Sequence, residues 1–534
     1  MATGDAWAGS VAAAIFVVVF YQHIIYPAFF SPLSRIPNAH WSAPISRLWI
    51  LNIRFTRREN KTLLDAHRRL GPVIRVAPNE LSISSLDSIR AVYQGGFEKP
   101  AWYSVFDNYG VPCMFSALSA SEHSARKRLI SNVYSKSYIQ SSQAVAAQGQ
   151  VLIYDRLLPI IEDSASETEG PHGLDIYSVL MAATMDFIAS YLFGIRNGTD
   201  FLGDKGYREH FLELYRARHG NGHYDQELPR LTKFCRKLGV PLCPSWVDAA
   251  NREIEEWCRR LCDKTERYFE DGRHQPADPS DEPVVWSALV GNLRTEESRN
   301  GRASVLFPTA LTHFKLSVAS ELLDHVLAGQ ETAGLALTYL SWRLSQSLDL
   351  QAQLRAELLT LSPNMRVAQG KPSSMPDPKQ LDSLPLLHAV LMETLRLHAP
   401  IPGPQPRQTP ESGCRIGPYT VPGGVRIAGL AYTLHRDETV FSDPENWDYT
   451  RWLPSSGSEE ERKQRSRTFW AFGSGGRMCI GSNFAMHEMK LIIAAIYSNY
   501  TSHIVDDDGV AEQSDGYTGR PSNEQLWLRF EKVV

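Results

Sequence analysis

Closely spaced cysteine pairs and an excess of positive charge are both missing from this sequence. Its seven cysteines are an odd number without a CxxC pair, so neither a disulfide framework nor a zinc ribbon is indicated, and a reducing compartment is favoured. The 534 residues carry 55 Lys and Arg against 59 Asp and Glu. Because no global basic field exists, we do not expect nucleic acid as a partner.

Charged side chains are absent between Asp5 and Arg35, and residues 7–30 are mostly apolar with aromatic residues near both ends. A stretch of this length is able to cross a bilayer as one helix. A cleaved signal peptide is the alternative, but it would have a basic region before the apolar core and a small-residue cleavage site after it. We therefore expect a transmembrane anchor over 7–30, with residues 1–6 in the lumen.

The segment after the anchor predicts the orientation and the first boundary. Basic residues follow the anchor rather than precede it, which places the bulk of the chain in the cytoplasm. Prolines recur through residues 31–47, and their fixed φ and missing N–H groups favour an extended, semi-rigid hinge. No long Gly/Ser-rich or Pro-rich linker divides residues 48–534, so we expect one large domain there.

The apolar periodicity of this domain is mainly helical. The longest pattern runs from Ala310 to about Gln346 without a proline and predicts a helix that crosses the whole domain. A second helix is expected between Pro385 and Pro400, whereas residues 72–97 begin with the alternation of strands. The predicted fold class is therefore mainly α with a minor β part (α+β).

The most informative segment is FGSGGRMCIG, from Phe472 to Gly481, where a lone Cys479 among glycines opens an apolar helix. Backbone N–H groups at a helix N-terminus stabilise a thiolate, glycines allow close approach of a flat ligand, and Arg477 adds a nearby cation. For an isolated cysteine, a glycine-rich turn with a buried thiol would be the better interpretation. The complete spacing of the motif favours a thiolate that binds a ligand over an ordinary turn.

This segment resembles the haem-binding loop FxxGxRxCxG of the cytochrome P-450 superfamily at every specified position. The resemblance implies haem b as the cofactor, Cys479 as the axial thiolate and metal ligand, and Arg477 at a haem propionate. Phe472 would pack near the thiolate, and Gly475 and Gly481 would border the cofactor. It also implies the P-450 fold, with a long central helix in a single domain behind one transmembrane helix.

Two further matches carry the same resemblance. Glu393 and Arg396 fit the family's ExxR, where residues i and i+3 share a helix face. Arg451 lies in a segment similar to PExFxPxRF, although Tyr449 replaces the usual proline. We expect Glu393, Arg396 and Arg451 to form a buried ion network with a structural role.

The middle of the long helix reads AGQET from Ala328, which resembles the family's (A/G)Gx(D/E)T. The resemblance implies that Ala328 and Gly329 leave room for dioxygen. Thr332 would back-bond to the helix or donate to oxygen, and Glu331 would supply protons through water. Glu331 and Thr332 are thus the predicted catalytic pair, the alternative being an ordinary polar helix face.

The propionate anchors are less well specified. The family's WxxxR helix segment is replaced here by HSARK, so His123 or Arg126 is expected to reach a propionate in place of a standard residue. A solvated basic helix face is the alternative. Arg407, in the proline-rich segment after the ExxR helix, matches the family's strand-borne arginine that pairs with a propionate.

The resemblance, closest to fungal microsomal members, implies a monooxygenase that oxidises a lipophilic small molecule in secondary metabolism. O₂ and electrons from an NADPH-cytochrome P-450 reductase would be consumed, and the enzyme would lie in the endoplasmic reticulum membrane as a single-pass protein. A reductase-independent haem-thiolate isomerase or dehydratase is one alternative, although it commonly lacks the acid-alcohol pair. A non-enzymatic haem- or sterol-binding membrane protein is the other.

Overall fold

The fold is mainly helical, as the periodicity predicts, with small sheets at its edge. The computed structural model describes residues 2–166, 173–270, 276–367 and 374–533. The α-helices of these ranges are α1 (Ala2–Phe20), α2 (Leu48–Phe55), α3 (Glu59–Leu70), α4 (Leu86–Ile89), α5 (Ala120–Ile130), α6 (Lys136–Ser141), α7 (Gln143–Gln150), α8 (Leu158–Ser166), α9 (Ile176–Phe193), α10 (Lys205–Gly220), α11 (Gly222–Glu227), α12 (Pro229–Lys237), α13 (Ser245–Glu270), α14 (Val284–Asn300), α15 (Phe314–Ser345), α16 (Leu348–Leu358), α17 (Pro378–Ser383), α18 (Pro385–Leu397), α19 (Ala431–Leu434), α20 (Glu459–Thr468) and α21 (Ser482–Asn499).

The strands form a minor part of the described chain. They are β1 (Val73–Ala77), β2 (Glu80–Ile83), β3 (Leu174–Asp175), β4 (Pro404–Gln408), β5 (Cys414–Ile416), β6 (Tyr419–Val421), β7 (Arg426–Leu430), β8 (Tyr500–Asp506) and β9 (Trp527–Lys532). The sheet orders are β1-β2-β7-β4, β3-β9-β8 and β5-β6. The first sheet is mixed, because β2 and β7 run parallel while the other pairs are antiparallel. In this sheet β4, which carries Arg407, pairs with β7, and β7 separates it from the N-terminal strands.

The predicted long helix is α15, which packs lengthwise on the buried helix α9. A short π-helix, Phe307–Leu311, precedes it. The α-helix therefore begins at Phe314 rather than near Ala310. A Cβ on Gly329 would come within 2.7 Å of the Ile188 side chain of α9. Gly329 therefore allows the two helices to approach closely, which corrects the expectation that it leaves room for dioxygen.

Two helical segments of the described chain are long and apolar enough to cross a membrane, but only one is free to do so. Ser10–Phe30 is not buried at all, whereas Ile176–Phe193 is 94% buried. The second is therefore a core helix of the domain. The first overlaps the predicted anchor and is the candidate membrane span.

Residues 31–47 differ from the extended hinge that their prolines led us to expect. Pro32–Arg35 form a 3₁₀ turn, and Leu33 and Ile36 are buried in a cluster that includes Val73 of β1. The Nη1 of the buried Arg75 donates to the carbonyl of Pro27 at 2.8 Å. Because these apolar contacts attach Leu33 and Ile36 to the domain, the first part of the segment belongs to the edge of the domain.

Glu393, Arg396 and Arg451 form a buried ion network between α18 and the segment that follows α19. Arg396 makes a bidentate pair with Glu393 at 2.8 and 2.7 Å, and Arg451 Nε lies 3.4 Å from the same carboxylate. Arg396 Nη1 also donates to the carbonyls of His435 and Pro444, each at 2.8 Å. Such a network is tolerated in the core because every member has partners.

His435 connects this network to the segment that leads into the Cys479 loop. Its Nδ1 lies 2.8 Å from the Arg396 carbonyl, and its Nε2 accepts a 2.8 Å hydrogen bond from the Trp470 N–H. The ring is therefore neutral, with Nδ1 protonated. Burial, followed by repulsion from Arg396, lowers the pKa of His435 to about 3.

Replacing Glu393 by Gln should be strongly destabilising, because Arg396 and Arg451 would remain buried without their counter-charge. We expect the free energy of unfolding to fall by about 3–5 kcal/mol, measured by chemical denaturation of the haem-loaded protein. The control is Glu445→Gln, since Glu445 pairs with Arg436 but is 55% exposed, so its loss should stay below about 1 kcal/mol. Equal losses of unfolding free energy in the two variants would contradict the claim that the buried network stabilises the fold more than a surface ion pair does.

His435 predicts an acid-side loss of stability. The unfolded imidazole titrates at about 6.5, whereas the folded pKa is about 3, so the unfolded state binds the proton first. The contribution of His435 is complete above about pH 6.5 and is lost as the pH falls towards the folded value. In His435→Gln the fall in melting temperature between pH 7 and pH 5 should be smaller than in the wild type, as thermal scans at a series of pH values would report.

The matched control for this pH series is His210→Gln. His210 is half-exposed and pairs with Glu253 on the surface, so its replacement should leave the steepness of the pH dependence unchanged. A His435→Gln slope identical to that of the wild type would show that this imidazole is not the group that titrates.

Candidate functional site

The loop from Phe472 to Gly481 is held in one conformation by its own backbone. The Cys479 N–H donates to the Phe472 carbonyl at 3.0 Å, and the Met478 N–H donates to the Gly475 carbonyl at 3.0 Å. Gly475 has φ +73° and its missing Cβ would lie 2.2 Å from the Tyr93 carbonyl. Only glycine fits there, which explains why the motif requires it at this position.

Cys479 sits directly before α21 and presents an accessible side chain. Protein nevertheless surrounds the sulfur, since burial raises the pKa of Cys479, while the N–H groups of Gly481 and Ser482 and the Lys127 ammonium oppose that rise. These donors prepare the position for an anionic sulfur.

Arg477 and Lys127 fasten the loop from two sides. Arg477 donates to the carbonyls of Ala117 and Leu118 at 2.7 and 2.6 Å. Lys127 Nζ donates to the carbonyls of Gly476 and Met478 at 3.0 and 3.1 Å. Lys127 stands where the family has the arginine of WxxxR. Its ammonium therefore binds the outer side of the loop.

Arg407 and His123 lie with Arg477 in a group of basic side chains. Arg407 Nη1 donates to the Tyr103 hydroxyl at 3.1 Å, and its guanidinium lies 4.9 Å from the centroid of the Tyr93 ring. Burial and then Arg407 lower the pKa of Arg477 to about 10. Burial and then Arg477 lower the pKa of His123 to about 3, so His123 is a neutral hydrogen-bonding group there.

Lys99 belongs to the same group and was missed by sequence reasoning. It is only 6% exposed, and burial, then Arg407 and Arg477, hold the pKa of Lys99 well below its usual range. Its position in the sequence, before Pro100 in an irregular segment, gives no local signal. Within the described ranges, Lys99, Arg407 and Arg477 all lack a carboxylate at ion-pair distance.

Arg126 is placed differently from the expectation of a propionate contact. Its Nε donates to Glu122 at 3.1 Å, its Nη1 to Ser317 at 3.2 Å and its Nη2 to Thr309 at 3.1 Å. The Glu321 carboxylate lies a further 3.5 Å from Nη1. Because two carboxylates and two hydroxyls surround the guanidinium, Arg126 joins α5 to the start of α15 and uses most of its five N–H donors within the protein.

Glu331 and Thr332 are neighbours in α15 but point to different surroundings. The Thr332 hydroxyl donates to the Ala328 carbonyl at 2.7 Å, which is the helix back-bond expected for a threonine. Glu331 accepts hydrogen bonds from Tyr215 at 2.7 Å and from Arg520 Nε at 2.6 Å. Neither Tyr215 nor Arg520 was predicted, since they lie far from Glu331 in the sequence.

A cavity of about 380 Å³ is lined in part by Arg520, the partner of Glu331. Trp102, Phe106 and Tyr517 supply aromatic walls, and Tyr517 lies 5.6 Å from Trp102 between ring centroids. Asn251 and Arg520 add polar groups. The cavity thus borders the loop of residues 100–118, the region of residues 205–250 and the late loop around Tyr517.

The donor set of this site fits an iron porphyrin. Clusters of three or more His, Cys, Asp or Glu able to hold a metal ion are absent from the described part of the chain, so Cys479 would serve as a single protein ligand. An iron already held by four porphyrin nitrogens requires no more than that. The buried cations Lys99, Arg407 and Arg477 match the two carboxylates that such a cofactor carries.

Comparison with known proteins agrees with this geometry. A family model described as Cytochrome P450 matches residues 44–526. The Cytochrome P450 monooxygenase macH of Penicillium terrestre is 25% identical over 515 residues, which is 93% of this chain and 92% of that protein. FGM1 of Gibberella zeae is 26% identical over 529 residues, covering 97% and 95%, and orf2 of Aspergillus niger is 24% identical over 498 residues, covering 92% and 91%; both are also described as Cytochrome P450 monooxygenases.

Proposed function

This chain belongs to the cytochrome P450 family, and we propose that it oxidises a lipophilic small molecule of fungal secondary metabolism with electrons from an NADPH-cytochrome P450 reductase. The family uses haem as its cofactor and comprises monooxygenases, which consume O₂. The single observation that carries the proposal is the Cys479 loop, where an exposed cysteine lies beside the N–H donors of Gly481 and Ser482.

The loop residues have distinct roles in this proposal. Cys479 supplies the axial thiolate, whose electron donation to haem iron favours O–O cleavage. Arg477 joins the loop to residues 117–118 and contributes positive charge towards the propionates. Gly475 and Gly481 keep the backbone free of side chains beside the cofactor, and Phe472, whose carbonyl closes the loop, packs near the sulfur.

Arg407 and His123 are assigned to the propionate end. Arg407 is a buried cation that touches Tyr103 and Tyr93 but has no carboxylate at ion-pair distance among the described residues. An ionised carboxylate would supply the missing counter-charge. His123 is neutral at physiological pH because of its depressed pKa, so its contribution would be a hydrogen bond rather than charge.

Glu331 and Thr332 are assigned to proton handling. Thr332 is half-buried, and its hydroxyl rests on the Ala328 carbonyl, from which it is able to rotate and donate to dioxygen. Glu331 is held by Tyr215 and Arg520, so the proton it provides must pass through a change in these contacts or through water. The acid-alcohol pair favours a monooxygenase over the isomerase or dehydratase alternative.

The cavity presents both aromatic and charged groups to a substrate. Trp102, Phe106 and Tyr517 offer ring faces and edges, and charged side chains such as Glu227 and Arg520 also line it, so the substrate would combine a ring-containing body with polar substituents. A membrane-facing enzyme would meet such compounds in the lipid phase. The unburied span Ser10–Phe30 is consistent with an anchor, and we place the protein in the endoplasmic reticulum membrane with its domain in the cytoplasm.

The surface that would meet the electron donor carries charges of both signs. The basic run of α20 begins with three glutamates, and Lys463 and Arg467 pair with Glu459 and Glu460. These pairs reduce the positive field that an acidic reductase would meet. Lys127, at the outside of the Cys479 loop, remains a basic group near the sulfur.

The function is tested by NADPH consumption in membranes containing the protein and its reductase. We expect oxidation of NADPH above the reductase background only when both proteins and a lipophilic substrate are present. Thr332→Ala should lower product formed per NADPH severalfold and raise peroxide release, because the hydroxyl that assists proton delivery is lost.

The matched control is Thr338→Ala. Thr338 makes the same back-bond on the same helix, to the Gly334 carbonyl at 2.8 Å, but is fully buried. Its replacement should leave the coupling unchanged. Equal coupling in the Thr332 variant and the wild type would contradict the role of Thr332, and product formation without NADPH would favour the isomerase alternative.

A further inference from the structure

We propose that Arg75 of β1 fixes the end of the membrane anchor on the domain, so that the anchor and the domain keep one orientation to each other at the lipid surface. The inference rests on the proposed anchor over Ser10–Phe30, but it does not depend on the cofactor or the substrate. It assigns an orienting role to a side chain that lies outside the anchor and outside the segment that follows it.

The last turns of the anchor leave one backbone carbonyl without a donor inside the helix. Residues 21–30 form a π-helix that contains Pro27, and a π-helical carbonyl accepts from the N–H five residues further on. For Pro27 this residue is Pro32, which has no N–H. The preceding donor, the Ser31 N–H, binds the Tyr26 carbonyl at 2.8 Å. The Pro27 carbonyl is therefore available to a donor from outside the helix.

Arg75 supplies this donor. Its Nη1 donates to the Pro27 carbonyl at 2.8 Å and its Nη2 to the Pro78 carbonyl at 2.7 Å, while its Nε lies 3.4 Å from the Ala77 carbonyl. The side chain is fully buried. A single planar guanidinium thus joins the anchor to the turn between β1 and β2, and its positive charge suits the carbonyl end of a helix.

The charge of Arg75 makes the contact with Pro27 costly to break. Burial lowers the pKa of Arg75 to about 10, so the guanidinium remains charged at neutral pH. Among the described residues, no carboxylate contributes to this pKa. A buried cation is tolerated only where its N–H groups have acceptors. Displacement of the Pro27 carbonyl would leave Nη1 without one, and this cost keeps the anchor in place.

The backbone of the same arginine holds the segment that follows the anchor. The Arg75 N–H donates to the Pro37 carbonyl at 2.8 Å, and the Ala39 N–H donates to the Arg75 carbonyl at 2.9 Å. Between these attachments and the anchor, Leu33 and Ile36 are buried in an apolar cluster with residues of β1 and β2. The connection is therefore attached to the domain in three places, whereas a flexible tether would be attached at its end only.

The competing interpretation is a freely moving anchor for which the position beside Arg75 is one among many. Apolar packing does not hold the anchor, because the span Ser10–Phe30 is not buried at all. The direction of the anchor then depends on the polar contact between Pro27 and Arg75. A variant that removes this contact alone separates the two interpretations.

The test is the distance distribution between two spin labels, measured by double electron–electron resonance in the full-length, haem-loaded protein in phosphatidylcholine nanodiscs. One label is placed on Ala13→Cys in the anchor and the other on Arg69→Cys in α3, both at exposed positions. Cys235 and Cys414 are replaced by serine in every sample, since they are the partly accessible cysteines besides the exposed Cys479.

We expect one narrow distance distribution in the labelled parent protein. Arg75→Gln should broaden it about twofold or more, as for a flexible connection, because the amide nitrogen takes the place of the arginine Nε and does not extend to Pro27. The matched control is Arg355→Gln in α16. Arg355 also donates to backbone carbonyls, those of Tyr497 and Tyr500 at 3.1 and 2.8 Å, and its replacement should leave the width unchanged. An Arg75→Gln distribution as narrow as that of the parent would overturn the proposal.

A variant that does not fold is recognised by circular dichroism, and Arg75→Lys then decides the question. One ammonium replaces two nitrogens that bind the carbonyls of Pro27 and Pro78 separately, so the distribution should broaden here too, and an unchanged width would overturn the proposal. A parent protein that is bound to the membrane but has a broad distribution rejects the role of Arg75 alone. A parent protein that does not enter the nanodiscs rejects the proposed anchor as well.

Discussion

As the proposed iron ligand, the sulfur of Cys479 has to remain an anion in a position that protein surrounds, and the structure around the loop bears on this constraint. Burial by itself raises the pKa of the thiol and so favours the neutral form. The N–H groups of Gly481 and Ser482 and the charge of Lys127 act against it. This arrangement works only while the loop keeps its conformation, because a small rotation of the backbone would turn these donors away from the sulfur.

The ion network of α18 helps to maintain that conformation, although it does not touch the sulfur. Arg396 binds Glu393 and the His435 carbonyl, and His435 in turn accepts the N–H of Trp470, two residues before Phe472. Each of these contacts is buried and has a defined donor and acceptor. A structural network that is far from the chemistry can therefore influence the iron ligand through an unbroken series of hydrogen bonds.

Local patterns in the sequence predicted the parts of the structure that local interactions determine. The periodicity from Ala310 predicted α15 to within a few residues, and the glycines and Cys479 defined the loop because its closing hydrogen bonds join residues that are close in sequence. The partners of Glu331 were not predictable, since Arg520 is 189 positions away. Lys99 escaped for the same reason, and the enclosure of Arg126 was not predictable because the Glu321 carboxylate and the Thr309 hydroxyl come from distant segments. The prolines of 31–47 were interpreted without the apolar contacts of Leu33 and Ile36.

Ligation of haem iron by Cys479 is the central claim. The carbon monoxide difference spectrum of the dithionite-reduced protein tests this ligation most directly. The wild type and Cys479→Ser are measured side by side, with folding of both checked by circular dichroism. We expect a Soret band at about 450 nm in the wild type, the signature of a thiolate ligand, and its loss in the variant. A band at about 420 nm in the folded wild type, or the absence of bound haem, would contradict the account.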